Sequence, residues 1–454
     1  MVKQAKTPPI VPRLRTLMNL FQFVRNPIPY LNSNLVKYGK THCFYMGGIE
    51  KGFASSDPVF IQHFMQKNHR NYRKSLVQTE KLGHFIGNGL LTSEGDYWLQ
   101  QRRLIQPGFH RKKLAALVEI VQNVIEHFTK ELAEECKAKK PVDVYQKMME
   151  LAFRIVVRSL FSSSMKEEEL EKISHNITEV QEFLVRQIRM PFLEPWFKIS
   201  GQLKKAESMA TEMNYVILDL IKERRNSKEE FDDLLQMLLD VRYEETGEGM
   251  TNQQILEEAV ILFVAGHETT ANALAWTWYL LSQHPESVEK IRAELDEVVG
   301  SAAPTFQDLP RLEYLMQVIQ ESMRIYPPAW VTDRVSIEAD EINGYHIPKN
   351  TLMVAYIYGM HHDPDIWENP EQFIPERFTK ENQKERPAMS YMPFGAGPRL
   401  CIGNNFALME MQLAIAHMIR QFDFETLPDQ RIEIQPLVTL RPQYGIQMKF
   451  WERN

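Results

Sequence analysis

Cysteine is scarce in this 454-residue chain: only Cys43, Cys136 and Cys401 occur, and they lie far apart. An odd, widely spaced set is no disulfide framework, and it fits a reducing cytoplasm. No CxxC or CxxxC pair is present, which removes the commonest zinc-binding pattern. Nowhere do about 20 apolar residues follow one another, so no membrane span is expected. The start, Met1–Arg15, is polar and basic and carries three prolines. It has no apolar centre of about 7–15 residues and is not read as a signal peptide. The apolar patch Leu17–Val24 is long enough only to touch a surface. Internal repeats and Gly-, Ser- or Pro-rich linkers are also missing. The most polar stretches, Arg224–Asp233 and Tyr243–Gly249, read as connections between helices. One domain over residues 1–454 is expected, with 1–34 as a lead-in. Positive charge is not in excess: the net charge of −6 and pI near 6.2 exclude nucleic acid as the main partner.

What is present is an ordinary globular composition, 44% hydrophobic and 25% charged, with clear periodicity. Two early segments, His42–Tyr45 and Gly52–Ser55, read as strands joined through Gly47-Gly48. A long helical region follows, with breaks, from about Pro58 to Met323. Its apolar spacing is illustrated by Leu114, Leu117, Ile120, Val121 and Ile125. Helices are predicted to stop at His284-Pro285 and at Tyr326-Pro327-Pro328. Short strands and turns come next, over Glu341–Pro348 and Thr351–Tyr358. A last helix, Asn404–Arg420, leads to β-like segments Glu433–Leu440 and Gly445–Phe450. The expected class is mainly α with small β-sheets, α+β, the β elements at both ends.

Directly before that last helix runs Phe394-Gly395-Ala396-Gly397-Pro398-Arg399-Leu400-Cys401-Ile402-Gly403. Two glycines and a proline make a tight loop that presents Cys401 at its end. Backbone N–H groups near Gly403 can point at the sulfur, and the helix N-terminus favours negative charge, so a thiolate is expected. Phe394 covers the site and Arg399 offers a cation to a nearby acid. A lone cysteine in a glycine-rich turn is ordinarily a buried structural residue, as expected of Cys43 and Cys136. Cys401 differs because Phe-x-x-Gly-x-Arg-x-Cys-x-Gly fixes five identities in ten positions.

This loop, residues 394–403, resembles the haem-binding signature of the cytochrome P-450 superfamily. The resemblance implies haem b, with the Cys401 thiolate as ligand to its iron, between a long central helix and the Cys loop with its helix. It extends from about Leu35 to Lys449 through four more segments in the family's order. Trp98 and Arg102, one helical turn apart, are similar to haem-propionate ligands, as are Arg399 and Arg334. Ala265-Gly266-His267-Glu268-Thr269-Thr270 resembles the oxygen-binding segment, in which the helix is distorted around Gly266. It implies that Thr269 meets the oxygen ligand and Glu268 supplies protons. Glu321 and Arg324, with Arg377, resemble a structural triad that holds the haem loop. Phe85–Ser93 resembles a mobile loop over the haem, its glycines Gly87 and Gly89 suited to flexibility.

The implied activity is a monooxygenase of a soluble, bacterial type with no fused reductase. A separate ferredoxin or flavodoxin and an NAD(P)H-dependent reductase would supply electrons. Basic residues Arg102, Arg103, His110, Arg111, Lys112 and Lys113 are candidates for docking charge. Retention of Glu268 and Thr269 speaks against a peroxide-using peroxygenase and against a haem gas sensor. The family's positions also imply a substrate pocket from Phe85, Leu90, Phe263, Ala265, Trp330, Val331, Leu437 and Val438. That lining favours a fatty acid or terpenoid. The alternative is oxidative O-demethylation of a methoxylated sugar, with Trp330 stacked on the ring and Arg186-Gln187-Ile188-Arg189 at the entrance.

Overall fold

The computed structural model describes residues 6–46, 50–138, 140–162, 167–227, 229 and 231–453. Its main helices are α1 (Gly95–Ile105), α2 (Arg111–Cys136), α3 (Val144–Phe161), α4 (Glu167–Arg189) and α5 (Gln202–Asn226). They continue with α6 (Asn252–Gln283), α7 (Pro285–Val299), α8 (Glu313–Ile325) and α9 (Asn404–Gln421). Helix α6 is central. A reciprocal pair of side-chain bonds between Thr251 and Gln254 caps its start. Its end is set by Pro285, which disfavours helical backbone at His284 and occupies the first position of α7. Between these points α6 buries residues on nearly every face, Trp276 and Trp278 included, as a helix inside the core must.

Gly266 lets α6 approach α3 closely. A β-carbon there would lie 3.1 Å from Val156 Cγ2. One contiguous apolar cluster joins α2, α3, α6, α8 and α9, from Leu114 through Phe263 to Ile419.

The strands are β1 (Thr41–Met46), β2 (Glu50–Ser55), β3 (Tyr72–Arg73), β4 (Val142–Asp143), β5 (Thr332–Ser336) and β6 (Asp340–Ile342). The remainder are β7 (Tyr345–Ile347), β8 (Leu352–Ala355), β9 (Phe422–Thr426), β10 (Ile434–Pro436), β11 (Leu440–Pro442) and β12 (Gln447–Glu452). The expected early hairpin is present, Thr41 opposite Ser55, while Gly47-Gly48 lies outside the described residues. The β elements of the two ends of the chain meet in space, with only β4 coming from between them. One five-stranded sheet runs β1-β2-β8-β5-β3, pairing β2 in parallel with β8 about 300 residues later. Strands β4 and β9, which sequence reading missed, flank β12. The mainly α fold with small sheets is what the sequence led one to expect.

Candidate active site

A cavity of about 800 Å³ lies between α6 and the loop that precedes α9. The loop's shape depends on two glycines with positive φ, Gly395 at 74° and Gly397 at 66°. At Gly397 a β-carbon would fall 2.1 Å from the Met65 carbonyl oxygen, so no other residue fits. The Cys401 amide donates to Phe394 O at 3.0 Å and closes the turn. Phe394 and Cys401 both border the cavity, and the cysteine is exposed to that space. Burial raises the thiol's pKa; a hydrogen bond from the Gly403 N–H and the charge of Arg102 oppose it without prevailing. Backbone dipoles reduce the desolvation cost of a thiolate, and a bound metal ion would favour that form further.

Across the cavity, α6 presents Gly266, Glu268 and Thr269. The Thr269 hydroxyl donates to Ala265 O at 2.7 Å and Thr270 to Gly266 O at 2.9 Å. The helix remains continuous through this stretch, so the expected distortion appears only as these side-chain bonds to carbonyls. Glu268 is buried and accepts a 2.6 Å hydrogen bond from Thr439, which itself accepts from Asn272 at 3.0 Å. Beyond it, Tyr145 is raised by burial and by the Glu268 charge, and it hydrogen-bonds Arg441. Arg441 donates to Glu182 at 2.5 Å, and Glu182 is 43% exposed. Tyr145, Arg441 and Glu182 thus line a polar route toward solvent that Glu268 meets through its charge rather than through a hydrogen bond. Sequence reading missed Thr439, Tyr145 and Arg441, because the route crosses three distant elements with no local pattern.

Arg102, Arg334 and Arg399 border the cavity together with Trp98. Arg399 lies 3.9 Å over the Trp98 ring and donates to Glu94 at 2.8 Å, the acid expected near it. Arg334, on β5, is 7% exposed and donates to the Asp333 carbonyl. Arg102 turns inward to donate to Leu400 O at 2.9 Å. Trp98 is buried beneath Arg399 and borders the cavity with it.

The cytochrome P-450 family model matches residues 8–450. The chain belongs to the cytochrome P-450 family. Cyclooctatin synthase of Streptomyces melanosporofaciens is 33% identical over 387 residues, 84% of this chain and 83% of that protein. Cyclooctat-9-en-7-ol 5-monooxygenase of the same organism is 32% identical, covering 93% and 89%. Cytokinin hydroxylase of Arabidopsis thaliana is 31% identical, covering 93% and 82%. The chain is a cytochrome P-450 monooxygenase, and the family implies a haem-thiolate cofactor.

The residues present fit that group. A thiol opens onto the cavity opposite Thr269, and Trp98, Arg102, Arg334 and Arg399 bring donors to its border. Such donors suit the carboxylates of a porphyrin. Of the neighbouring cations, Lys113 pairs with Asp232 and Arg111 lies over the Phe306 ring.

Seven of the eight expected pocket residues, Phe85, Leu90, Ala265, Trp330, Val331, Leu437 and Val438, border the P-450 cavity. Phe263 does not. It lies on the opposite face of α6, with its ring centroid 5.1 Å from Phe153 and 5.8 Å from His267. Helical phase explains the correction: Ile261, Leu262, Val264 and Ala265 line the cavity instead.

The segment Phe85–Ser93 is pinned. Lys74 Nζ donates to the carbonyls of Leu90, Leu91 and Ser93 at 2.7–3.2 Å. Glu258 accepts from the Leu90 N–H at 3.0 Å; burial raises its pKa to about 7. Gly87 supplies a φ of 82°, and a β-carbon at Gly89 would meet Ile261 Cδ1 at 2.8 Å. These glycines serve a turn and a close approach to α6. Glu94, which accepts from the Lys74 N–H at 2.7 Å, ties this segment to Arg399.

Beneath the Cys loop, Glu321 is fully buried and accepts from Arg324 at 2.7 and 2.9 Å. It also accepts from Arg377 at 3.2 Å and from the Ile374 N–H at 3.0 Å. Arg324 reaches on to the carbonyls of His361 and Gln372. The side chains expected as a structural triad meet at one carboxylate.

Proposed function

We propose that this P-450 hydroxylates an apolar, lipid-like substrate, a terpenoid or a fatty acid, in the cytoplasm. The observation that carries the reading is the apolar lining of the cavity that Cys401 and Thr269 border, to which Phe85, Leu90, Ala265, Val331 and Leu437 contribute. The name of one relative, an oxygenase of cyclooctat-9-en-7-ol, leans the same way. Trp330, the residue expected to stack on a sugar, donates its indole N–H to Leu437 O at 3.0 Å and is 6% exposed. Demethylation of a methoxylated sugar is the weaker reading on that ground.

Cys401 would hold haem b through its thiolate, and the bound group would supply dioxygen activation, which thiolate donation favours. One oxygen atom enters the C–H bond and the other leaves as water, consuming two electrons and two protons. The electrons come from a separate ferredoxin or flavodoxin with an NAD(P)H-dependent reductase. The protein's part is to exclude water from the apolar cavity, orient the substrate and deliver protons. Thr269 holds a hydroxyl at the cavity surface, and Glu268 stands next to it at the inner end of the Tyr145–Arg441–Glu182 route. Because Glu268 accepts from Thr439, a turn of the carboxyl or a bridging water completes the link.

Thr269→Ala is expected to keep substrate binding and lower product formed per NAD(P)H about tenfold or more, within the range of lost acid catalysis. The lost electrons appear as hydrogen peroxide. Unchanged coupling would remove Thr269 from the reaction. Substrate class is tested by the ferric spin-state shift on titration with fatty acids, terpenoids and methoxylated sugars. Apolar compounds are expected to give the high-spin form. A shift confined to the sugars would overturn the reading.

A further inference from the structure

The cavity is not the only space at this end of the molecule. A second pocket of about 590 Å³ adjoins it, and Val185, Arg189, Met209 and Leu437 border both. The second pocket differs in charge. Its two acids are already engaged, Glu179 with Lys205 at 2.9 Å and Glu182 with Arg441 at 2.5 Å. Arg25 and Arg186 stand exposed at its rim.

Arg189 is the distinctive group. It ends α4, one turn after Arg186, and donates to the carbonyl oxygens of Val24 and Pro436. No carboxylate pairs with it among the described residues, and burial alone lowers its pKa, to about 10. It is thus still charged at neutral pH. An embedded cation with only neutral partners is costly, and an arriving anion would offset that cost. A planar guanidinium matches a carboxylate well.

We infer that Arg189 and the pocket beside it bind the carboxylate head of an amphipathic substrate whose apolar body occupies the main cavity. This inference rests on the apolar-substrate reading and deepens it. Arg189 is a specificity-determining residue at the junction: it selects the substrate's polar end and sets how far the chain reaches toward Cys401.

The test is calorimetric titration of the haem-loaded protein and its Arg189→Gln and Arg189→Lys variants with dodecanoate, dodecanol and dodecyl phosphate. Arg189→Gln is expected to weaken dodecanoate about 10–100-fold, the loss typical of a charged hydrogen-bonding partner, and dodecanol about twofold or less. Arg189→Lys should retain most of the preference for the acid over the alcohol. Because Arg189 also holds two carbonyls, a general loosening would weaken acid and alcohol alike, and that result overturns the inference. So does dodecanoate binding that ignores the substitution. If only dodecyl phosphate depends on Arg189, the carboxylate assignment is overturned. If the alcohol binds while the acid shows no Arg189 dependence, the inference alone falls. If neither acid nor alcohol binds, the apolar-substrate reading falls with it.

Discussion

Glu321→Ala is expected to destabilise the fold by about 3–5 kcal/mol, the range for removing one partner of a buried ion pair. The carboxylate is completely enclosed and accepts from Arg324, Arg377 and the Ile374 amide. Its removal leaves the fully buried Arg324 guanidinium with carbonyl partners only, those of His361 and Gln372. A domain with a total stability of about 5–15 kcal/mol would lose a large part of it. The damage should concentrate near the Cys loop, because His361 accepts from the Met392 N–H through its ring, just before that loop. Glu321→Gln, which keeps the shape but not the charge, should cost less. Urea unfolding followed by fluorescence and by haem absorbance measures both. A loss below about 1 kcal/mol for Glu321→Ala would show that the triad adds little.

Much of this site was readable along the chain because its chemistry sits in short local strings. The ten residues from Phe394 to Gly403 carry the loop's geometry in their glycines, and Gly397 faces a backbone carbonyl that no β-carbon could approach. The Thr251–Gln254 cap and Pro285 likewise mark the ends of α6. What sequence could not give was phase and distance. Phe263 was assigned to the pocket with Ala265 from the family's positions, yet two residues along a helix point about 200° apart. Strand β8 pairs with β2 across some 300 residues, a contact with no local signal. The same holds for Glu268, whose partner Thr439 stands 171 residues further along the chain. The balance of effects on the Cys401 thiol is not local either. A helix N-terminus and an amide favour the thiolate, but the depth of burial that opposes them is a property of the whole fold.

The central claim is that Cys401 is the haem ligand of a P-450 monooxygenase. Cys401→Ser exchanges a soft, strongly donating sulfur for an alcohol that holds ferric iron weakly, at the one position where a thiol faces Thr269 across the cavity. Loss of monooxygenase turnover is expected to be complete within detection. Cys43 and Cys136 are buried elsewhere, Cys43 against Ile10 and Phe53 and Cys136 at the end of α2, so their serine variants should keep the cofactor spectrum. The most direct measurement is the carbon monoxide difference spectrum of the reduced, haem-loaded protein, recorded for the wild type and the three serine variants. The account predicts the strongly red-shifted thiolate band in the wild type, Cys43→Ser and Cys136→Ser, and its loss in Cys401→Ser alone. A band that survives in Cys401→Ser, or that is missing from the wild type, would contradict it.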